Sequence, residues 1–336
     1  MKTYKNLYNR IYAFENLYQA YKQAKKGKRY REDVLRFSEN LENNLLDLQK
    51  ELMNQTYMHG NYRQFIISDA KKRLIKAAPF RDRLVHHAIC NVIEPIFDKS
   101  FIYHSYACRK GKGTHKAINT LQNKLKNMGN VYCLQCDISK YFASIDHNVL
   151  LSLLSKKVAD KKVMNLLKII IESDYDIINY KGNKAGIPIG NLTSQLFANI
   201  YLDRLDQFIK HDLKEKHYIR YMDDFLIVHK SKDHLHLVKE NIKNFVEDVL
   251  YLLLHPKKAI VFPVANDGVN FLGFRVFDTH KLLRKSTVKR FIQRFKVLSE
   301  EQFEKGIVSW CSYAKSGNSF NLRRSISLQY VIGGLY

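Results

Sequence analysis

The 336-residue sequence contains few residues that interrupt regular structure: five prolines and fourteen glycines. This scarcity argues against long linkers and low-complexity segments. Five cysteines are an odd number and too few for a disulfide-stapled scaffold, so we expect reduced thiols and a cytoplasmic protein. No apolar run approaches the roughly 20 residues of a transmembrane helix, and the N-terminus has no apolar signal-peptide core. We therefore expect no membrane partner.

Acidic residues are also scarce compared with basic ones. The chain has 56 Lys and Arg against 32 Asp and Glu, which gives a formal net charge of +24. Hydrophobic residues make up 46% and aromatic residues 12%, enough for a large core, so the chain is not a disordered basic tail. The excess of positive charge predicts a polyanionic partner, and nucleic acid is favoured over an anionic membrane.

Hydrophobic periodicity predicts a mixture of helices and strands. Helical spacing covers residues 3–26, 30–56, 82–97, 147–156, 161–172, 193–211, 232–253 and 286–336. Strand patterns cover residues 62–67, 73–77, 131–136, 217–222, 225–228, 258–263 and 269–277. A further helix follows the Gly-Lys-Gly loop at 111–113, with Thr114 as its expected N-cap. This order predicts an α+β fold in which helices pack on one face of a mostly antiparallel sheet.

Two acidic positions occur where apolar strand patterns end. Tyr221-Met222-Asp223-Asp224 lies between two apolar strands, and Asp137 follows the strand pattern 131–136. Alone, an Asp-Asp pair is also a common composition of solvated turns. If the strands are neighbours in one sheet, however, Asp137 and Asp223 meet at the same edge. Carboxylates from two strands suit a pair of Mg²⁺ ions about 3.5–4 Å apart in phosphoryl transfer.

Six sequence blocks in the expected order resemble those of the reverse transcriptases. Asp137–Ile145 matches the D-x-x-x-x-F/Y-x-x-I block of that family, and Tyr221–Asp224 matches its Y-x-D-D block. The other four blocks are Arg73-Leu74-Ile75 with Pro79–Arg83 in the fingers, Gly190–Ser194 as G-x-x-x-S, Leu254–Lys258 as the lysine block, and Phe271–Phe274 as the primer-gripping hairpin. Each block alone is a weak signal, but six in order are a strong one.

The resemblance implies a right-hand polymerase with fingers, a ferredoxin-like antiparallel palm and a short helical thumb. We expect a basic helical extension at 1–58, fingers at 59–130, a palm at 131–280 and a thumb at 281–336. A finger insertion is expected near 150–190. The activity implied is RNA-directed DNA synthesis by two-metal nucleotidyl transfer.

The same resemblance assigns the catalytic roles. Asp137 and Asp223 are the expected ligands of two Mg²⁺ ions, for which Mn²⁺ can substitute, and the Ile138 carbonyl is a further ligand. Asp224 is the weaker candidate, because adjacent residues of a strand point in opposite directions. Lys258, or its neighbour Lys257, is expected to protonate the leaving pyrophosphate or to stabilise its charge; the alternative is a solvated lysine at a strand edge.

Other matched positions are expected to bind the substrates. Arg73 and Lys72 carry the cationic groups that suit a triphosphate. Phe142 resembles the steric gate that excludes a 2′-hydroxyl, although a core aromatic would give the same pattern. The G-x-x-x-S block, together with the position before it, is expected to support the template and the nascent base pair through Ile189, Gly190, Ser194 and Gln195. The expected primer grip consists of Phe271, Leu272 and Gly273.

One block points to a narrower group within the family. Most reverse transcriptases carry Gln before the motif glycine and Pro after its serine, whereas this chain has Ile189 and Gln195. This form is similar to the enzymes of diversity-generating retroelements, which are bacterial or phage-encoded and copy a template RNA unfaithfully at adenines. That resemblance implies template RNA, the RNA–cDNA duplex, dNTPs and a small basic accessory variability protein as partners. Loss of the amide at Ile189 is expected to loosen selection opposite adenine.

Alternative functions remain open at the level of the sequence. A retron or group II intron-type enzyme is the nearest alternative, and Ile189 with Gln195 argues against it. A viral-type RNA polymerase usually has Gly before the Asp pair, and Phe142 favours deoxynucleotides. A non-catalytic RNA-binding or defence protein on the same scaffold would not need Asp137, Asp223 and Asp224, which are all present.

Overall fold

The computed structural model describes residues 2–68, 72–295 and 300–333. Its helices are α1 (Tyr8–Tyr12), α2 (Phe14–Ala24), α3 (Glu32–Glu39), α4 (Leu41–Met53), α5 (Phe80–Asp98), α6 (Thr114–Met128), α7 (Tyr141–Ser144), α8 (His147–Ser155), α9 (Lys161–Glu172), α10 (Leu192–Gln207), α11 (Lys232–Asp248), α12 (Val264–Asp267), α13 (Lys285–Phe295), α14 (Glu300–Ala314) and α15 (Phe320–Gly333). A π-helical turn, Phe208–Asp212, extends α10. Parts of the predicted thumb, 296–299 and 334–336, lie outside the described residues.

The strands form one central sheet and three smaller ones. They are β1 (Arg63–Ser68), β2 (Lys72–Ala77), β3 (Tyr132–Asp137), β4 (Ile177–Ile178), β5 (Lys184–Ala185), β6 (Tyr218–Tyr221), β7 (Asp224–His229), β8 (Ile260–Pro263), β9 (Val269–Phe271), β10 (Phe274–Val276) and β11 (Lys281–Leu283). The central sheet has the order β6-β7-β3-β8, and all its neighbours are antiparallel. Its chain order, with helices after β3 and β7, is the β-α-β-β-α-β arrangement of ferredoxin-like sheets. The predicted α+β palm is confirmed.

Strand β3 lies inside this sheet because both of its faces are apolar. Cys133, Leu134 and Cys136 are fully buried, as expected for a strand covered on both sides. Leu134 and Cys136 belong to the large core shared with α8 to α11. Cys133 faces a second core, formed with α6 and the three-stranded sheet β11-β10-β9. The prediction of helices on one face is therefore incomplete, since a second sheet and α6 cover the other face.

The N-terminal segment folds as four short helices instead of the two predicted long ones. The breaks are at Ala13 (φ −52°, ψ 134°) and Asn40 (φ −124°, ψ 54°), where the backbone leaves the helical region. The apolar positions of α2 then pack against α5 through one side of the helix, which buries Leu17, Ala20 and Ala24. Periodicity alone could not locate the breaks, because the apolar spacing continues across them.

Three other sequence predictions are wrong in detail. The helix predicted to residue 253 ends at Asp248, because the following run is buried alternately, with Leu252 inside and Leu253 54% exposed. The strand predicted at 269–277 is a hairpin that reverses at Leu272 and Gly273, both with positive φ. Thr114 is not an N-cap: it is the first residue of α6, and its hydroxyl donates to Tyr221 Oη at 3.2 Å.

In the part of the chain that the structure describes, no helix combines the length and the apolarity needed to cross a membrane.

Candidate active site

The cross-strand register of the central sheet brings the predicted carboxylates to one edge. Asp137, the last residue of β3, lies directly opposite Asp224, the first residue of β7. The β6–β7 hairpin reverses through Met222 and Asp223, so that Asp223 lies at its tip beside this pair. The three acidic residues thus lie at the same edge of the sheet, at the adjoining ends of β3 and of the β6–β7 hairpin.

Asp224 is half-buried at the first position of β7, and its environment disfavours charge. Burial, together with the neighbouring charge of Asp223, raises its pKa to about 7, although a hydrogen bond from Gln135 and the charge of Arg284 act in the opposite direction. Gln135 Nε2 donates to Asp224 Oδ1 at 3.2 Å and to the Asn270 carbonyl at 3.0 Å. This glutamine, which the sequence analysis missed, therefore links the carboxylate edge of the sheet to β9.

The lysine block lies beside Asp137. The His255 amide donates to the Asp137 carbonyl at 2.8 Å, and the Ser139 amide donates to Leu253 at 2.8 Å. A turn after His255 then brings the Lys258 ammonium into an ion pair with Asp137 Oδ2. The two backbone bonds flank Ile138 without using its own carbonyl oxygen.

The donor set at this edge fits divalent cations of the hard, oxygen-seeking type. Asp137, Asp223 and Asp224 supply carboxylate oxygens from adjoining strand ends, and the Ile138 carbonyl is a further oxygen donor. Burial is the largest cause of the raised pKa of Asp224, and the neighbouring charge of Asp223 is a smaller one. Within the described residues, no three His, Cys, Asp or Glu side chains are already arranged around a metal position.

A buried cation lies behind the hairpin tip and was also missed. Arg220 of β6 is fully buried, and its guanidinium pairs with Asp206 of α10 through Nε–Oδ1 at 2.7 Å and Nη2–Oδ2 at 2.6 Å. Its Nη1 donates to Asn199 Oδ1 at 3.2 Å and to the Met222 carbonyl at 3.1 Å. The available sequence signal was a charged residue in the middle of an apolar strand.

The loop before α10 joins the palm to the β1–β2 hairpin. The Ile189 carbonyl accepts a hydrogen bond from the Lys76 amide of β2 at 3.2 Å. Gly190 has φ +122°, and a Cβ there would approach Ile75 Cγ2 to 3.1 Å. A glycine is therefore favoured here for two reasons: the backbone has a positive φ, and there is little room for a Cβ beside Ile75.

Phe142 lies on the palm side of the same loop. It is half-buried on α7, and its carbonyl accepts from the Ile187 amide at 2.9 Å. This bond joins the Phe142 backbone to the segment between β5 and α10, two residues before Ile189. The aromatic residue is neither fully exposed nor fully buried.

The remaining substrate candidates differ in exposure. Lys72 and Arg73 are exposed at the start of β2, opposite Ser68 and Ile67. On α10, Ser194 is buried and Gln195 is exposed. Lys76, a cation that the sequence analysis did not single out, is instead occupied by Asp174 and Asp176 at 2.6 and 2.8 Å.

The predicted primer grip is the tight turn between β9 and β10. Phe271 is fully buried in the second core, whereas Leu272 and Gly273 form the turn with φ +49° and +86°. Tyr313 of α14 donates to the Leu272 carbonyl at 2.9 Å. A Cβ on Gly273 would lie 2.2 Å from the Tyr313 hydroxyl, so this turn is joined closely to the C-terminal helices.

Comparisons with known proteins agree with this geometry. The family model described as reverse transcriptase (RNA-dependent DNA polymerase) matches residues 64–276, which include every candidate site residue. Protein YkfC of Escherichia coli strain K12 is 28% identical over 276 residues, covering 71% of this chain and 71% of that protein. The group II intron-encoded protein LtrA of Lactococcus lactis subsp. cremoris is 26% identical over 310 residues, covering 72% of this chain and 50% of that protein.

Among solved structures, apo telomerase from Candida tropicalis, truncated of its C-terminal domain, shares the fold. The TM-score is 0.51 at 14% sequence identity, over 72% of this chain and 60% of that one. The chain thus spans about half the length of LtrA and 60% of this telomerase chain.

Proposed function

The chain belongs to the reverse transcriptase family, and we propose that it extends a primer 3′-hydroxyl with dNTPs on an RNA template. The observation that carries this proposal is the register that sets Asp137 opposite Asp224 beside the Asp223 tip. The expected division into a 1–58 extension, 59–130 fingers, a 131–280 palm with an insertion near 150–190 and a 281–336 thumb belongs to the same proposal.

We assign the metal role to Asp137 and Asp223, with Asp224 and the Ile138 carbonyl as further ligands. Two Mg²⁺ ions at such a site lower the pKa of the attacking hydroxyl and neutralise charge on the leaving pyrophosphate. Mn²⁺ is expected to substitute. Lys258, which is paired with Asp137, is proposed to offer its proton and its charge to the leaving pyrophosphate.

The substrate roles follow from exposure and position. Lys72 and Arg73 are exposed cations on the hairpin that contacts the Ile189 loop, which supports the proposal that they bind the triphosphate. Phe142 is proposed to lie under the sugar of the incoming nucleotide and to exclude a 2′-hydroxyl. The turn at Leu272 and Gly273 is proposed to hold the primer end.

We further propose that the enzyme is error-prone at template adenines and serves a diversity-generating retroelement. The support is Ile189, an alkyl side chain whose backbone is fixed between the palm loop and β2 and which offers no amide to the nascent pair. The partners would be template RNA, the RNA–cDNA duplex, dNTPs and a small basic accessory protein. The alternative is a group II intron-type or retron enzyme, which the resemblance to LtrA favours.

Primer extension on a mixed-sequence RNA with Mg²⁺ and four dNTPs tests the activity. The wild-type chain is expected to make cDNA, whereas Asp223→Ala and reactions without divalent metal should make none. RNA binding should survive in Asp223→Ala. RNA binding without any synthesis by the wild-type chain, with or without a basic partner protein, would favour the non-catalytic alternative.

Deep sequencing of the same cDNA separates the two subtypes. Errors concentrated opposite adenine, and reduced in Ile189→Gln, are the result expected for a diversity-generating enzyme. Faithful cDNA from the wild-type chain would retain the polymerase and replace the subtype by the intron or retron alternative. An adenine bias that persists unchanged in Ile189→Gln would remove Ile189 as its cause.

A further inference from the structure

We propose that Arg220 is a positioning residue for the catalytic turn: its guanidinium, held by Asp206, fixes the Met222 carbonyl and so directs the Asp223 carboxylate toward Asp137. This inference rests on the proposed function of the carboxylate cluster. Arg220 itself touches neither substrate nor reacting atoms in this arrangement, because it lies fully buried behind the turn.

The turn needs an external restraint because its backbone is strained. Met222 has φ +56°, a left-handed conformation that is unfavourable for a residue with a side chain. Such conformations persist where the surroundings over-determine them. The bond from Arg220 Nη1 to the Met222 carbonyl is that restraint. Because the peptide unit is planar, holding this oxygen also holds the Asp223 nitrogen and orients the residue that follows.

Arg220 is itself held through both its backbone and its side chain. Its amide donates to His104 at 2.9 Å, and its carbonyl accepts from the Tyr106 amide at 3.0 Å. Its side chain meets Asp206 through both carboxylate oxygens and meets Asn199 through Nη1. These bonds fix the position of the guanidinium, and the guanidinium in turn fixes the turn. A side chain held by a single contact would not restrain the turn in this way.

The supporting groups come from one face of α10. Asn199 and Asp206 are seven residues apart, which places them two turns apart on the same side of the helix. The N-terminal end of this helix follows directly on the Ile189–Gly190 loop. One rigid element thus connects the proposed nucleotide loop to the catalytic turn through Arg220.

Stability alone does not account for this arrangement. A buried ion pair often gives no more stability than well-packed apolar residues of similar volume. An apolar pair at Arg220 and Asp206 would fill the core but would leave the Met222 carbonyl without its donor. The planar fork of arginine is what allows simultaneous pairing with Asp206 and donation to the turn.

The test compares Arg220→Lys with Tyr218→Phe in the full chain. Lysine keeps the charge opposite Asp206 but cannot serve both the carboxylate and the Met222 carbonyl. Tyr218→Phe is the matched control, because it removes a 2.7 Å bond to the same Asp206 Oδ1 from the same strand without touching the turn. Three quantities are measured: the single-turnover rate of dNTP addition, the primer–template Kd, and Mn²⁺ affinity from electron paramagnetic resonance.

Arg220→Lys is expected to lower the rate and the Mn²⁺ affinity by roughly 10–100-fold, as for other residues that orient metal ligands, with the primer–template Kd unchanged. Tyr218→Phe should match the wild type in all three quantities. Wild-type rate and Mn²⁺ affinity in Arg220→Lys would overturn the proposal, as would equal losses in both variants in proportion to their melting temperatures.

If Arg220→Lys does not fold, Asn199→Ala decides the question. It leaves the Arg220–Asp206 pair intact and removes the oxygen that aligns Nη1, so a smaller loss of rate and Mn²⁺ affinity is expected; wild-type values would contradict the proposal. The Mn²⁺ measurement, with Asp223→Ala as its reference, requires no synthesis. If the wild-type chain makes no cDNA, the proposed function is overturned. The Mn²⁺ affinities of the variants still test the positioning role of Arg220.

Discussion

Asp203 is a half-buried acid on α10, one turn before Asp206. Burial, followed by the charge of Asp206, raises its pKa from 3.8 to about 6. The folded protein therefore binds this proton more tightly than the unfolded chain does. Its ionisation disfavours the folded state above about pH 6, and this penalty disappears as the pH falls below the unfolded value.

We expect Asp203→Asn to increase the free energy of unfolding at pH 8 by up to about 3 kcal/mol and to change nothing at pH 3.5. The amide keeps the oxygen that accepts from Gln207 at 3.0 Å. Urea unfolding across this pH range measures the effect. Asp47→Asn, at an exposed position of α4, is the matched control; an equal gain there would refute the explanation by burial.

Phe142 offers a second prediction for a single residue. Phe142→Ala should raise incorporation of ribonucleotides relative to deoxynucleotides by at least about 10-fold, because removing the ring makes room for a 2′-hydroxyl. Phe142→Tyr keeps the ring and should keep the discrimination. Competition between each rNTP and its dNTP in primer extension gives the ratio. Unchanged discrimination in Phe142→Ala would assign the residue to packing alone.

Individual residues also show how far the sequence could be interpreted. Asp137 and Asp223 could be predicted because each ends an apolar strand within a recognisable block. Gln135 and Arg220 could not, because their partners Asn270 and Asp206 come from other elements that only the folded topology brings near. A local pattern carries no information about such long-range partners.

At the scale of elements, the junction between the β9–β10 hairpin and α14 depends on a missing side chain. Gly273 and Gly182 both have positive φ, but a Cβ on Gly273 would lie 2.2 Å from the Tyr313 hydroxyl, whereas one on Gly182 meets no described atom within 4 Å. Gly182→Ala should therefore cost only the roughly 1–2 kcal/mol of the left-handed backbone.

Gly273→Ala should cost more than Gly182→Ala, because the Tyr313 hydroxyl must move away from the Leu272 carbonyl that it now bonds. The loosened junction should also shorten the cDNA made in each binding event. Thermal unfolding and single-cycle extension measure the two effects. Equal losses of stability in the two variants would contradict this prediction, because they would show that Tyr313 of α14 moves away from the new Cβ at no measurable cost.

The ends of some helices are set by tertiary packing, which the local sequence pattern does not show. The apolar run 249–254 has the composition of a helix, yet it leaves α11 because alternate burial of Leu250 and Leu252 suits the extended path toward β8. The two strands at 217–222 and 225–228, by contrast, were predicted almost to the residue. A short turn between two apolar strands is a strong local signal, whereas the end of an apolar helix is not.

For the whole molecule, the charge of +24 predicts salt-dependent binding of a primer–template. The slope of log K against log salt should be about −4 or steeper. Lys289→Gln, at an exposed position of the proposed thumb helix α13, should reduce the slope by about 1. Lys168→Gln on α9, which faces Glu172 at 3.9 Å, should leave it unchanged. A shallow slope would contradict recognition through phosphates.

The general architecture could be predicted from the sequence because the matched blocks occur in order along the chain. The covering of the second face of the palm sheet could not be predicted. The elements that cover it lie outside the sheet's segment of the sequence: α6 precedes β3, and β9 to β11 follow β8. The contact of Tyr313 with Leu272 likewise joins residues 41 positions apart. Composition and periodicity describe single elements and do not show which of them meet.

The inner position of β3 has a consequence for synthesis on the ribosome. This strand is complete at Asp137, but its neighbours are β7, which begins at Asp224, and β8, which ends at Pro263. A nascent chain therefore carries an apolar strand with two open edges until β7 has been made, and with one open edge until β8 has been made. Unpaired edges of this kind invite aggregation. We expect fragments that stop before β8 to require chaperones and longer ones to be released from them.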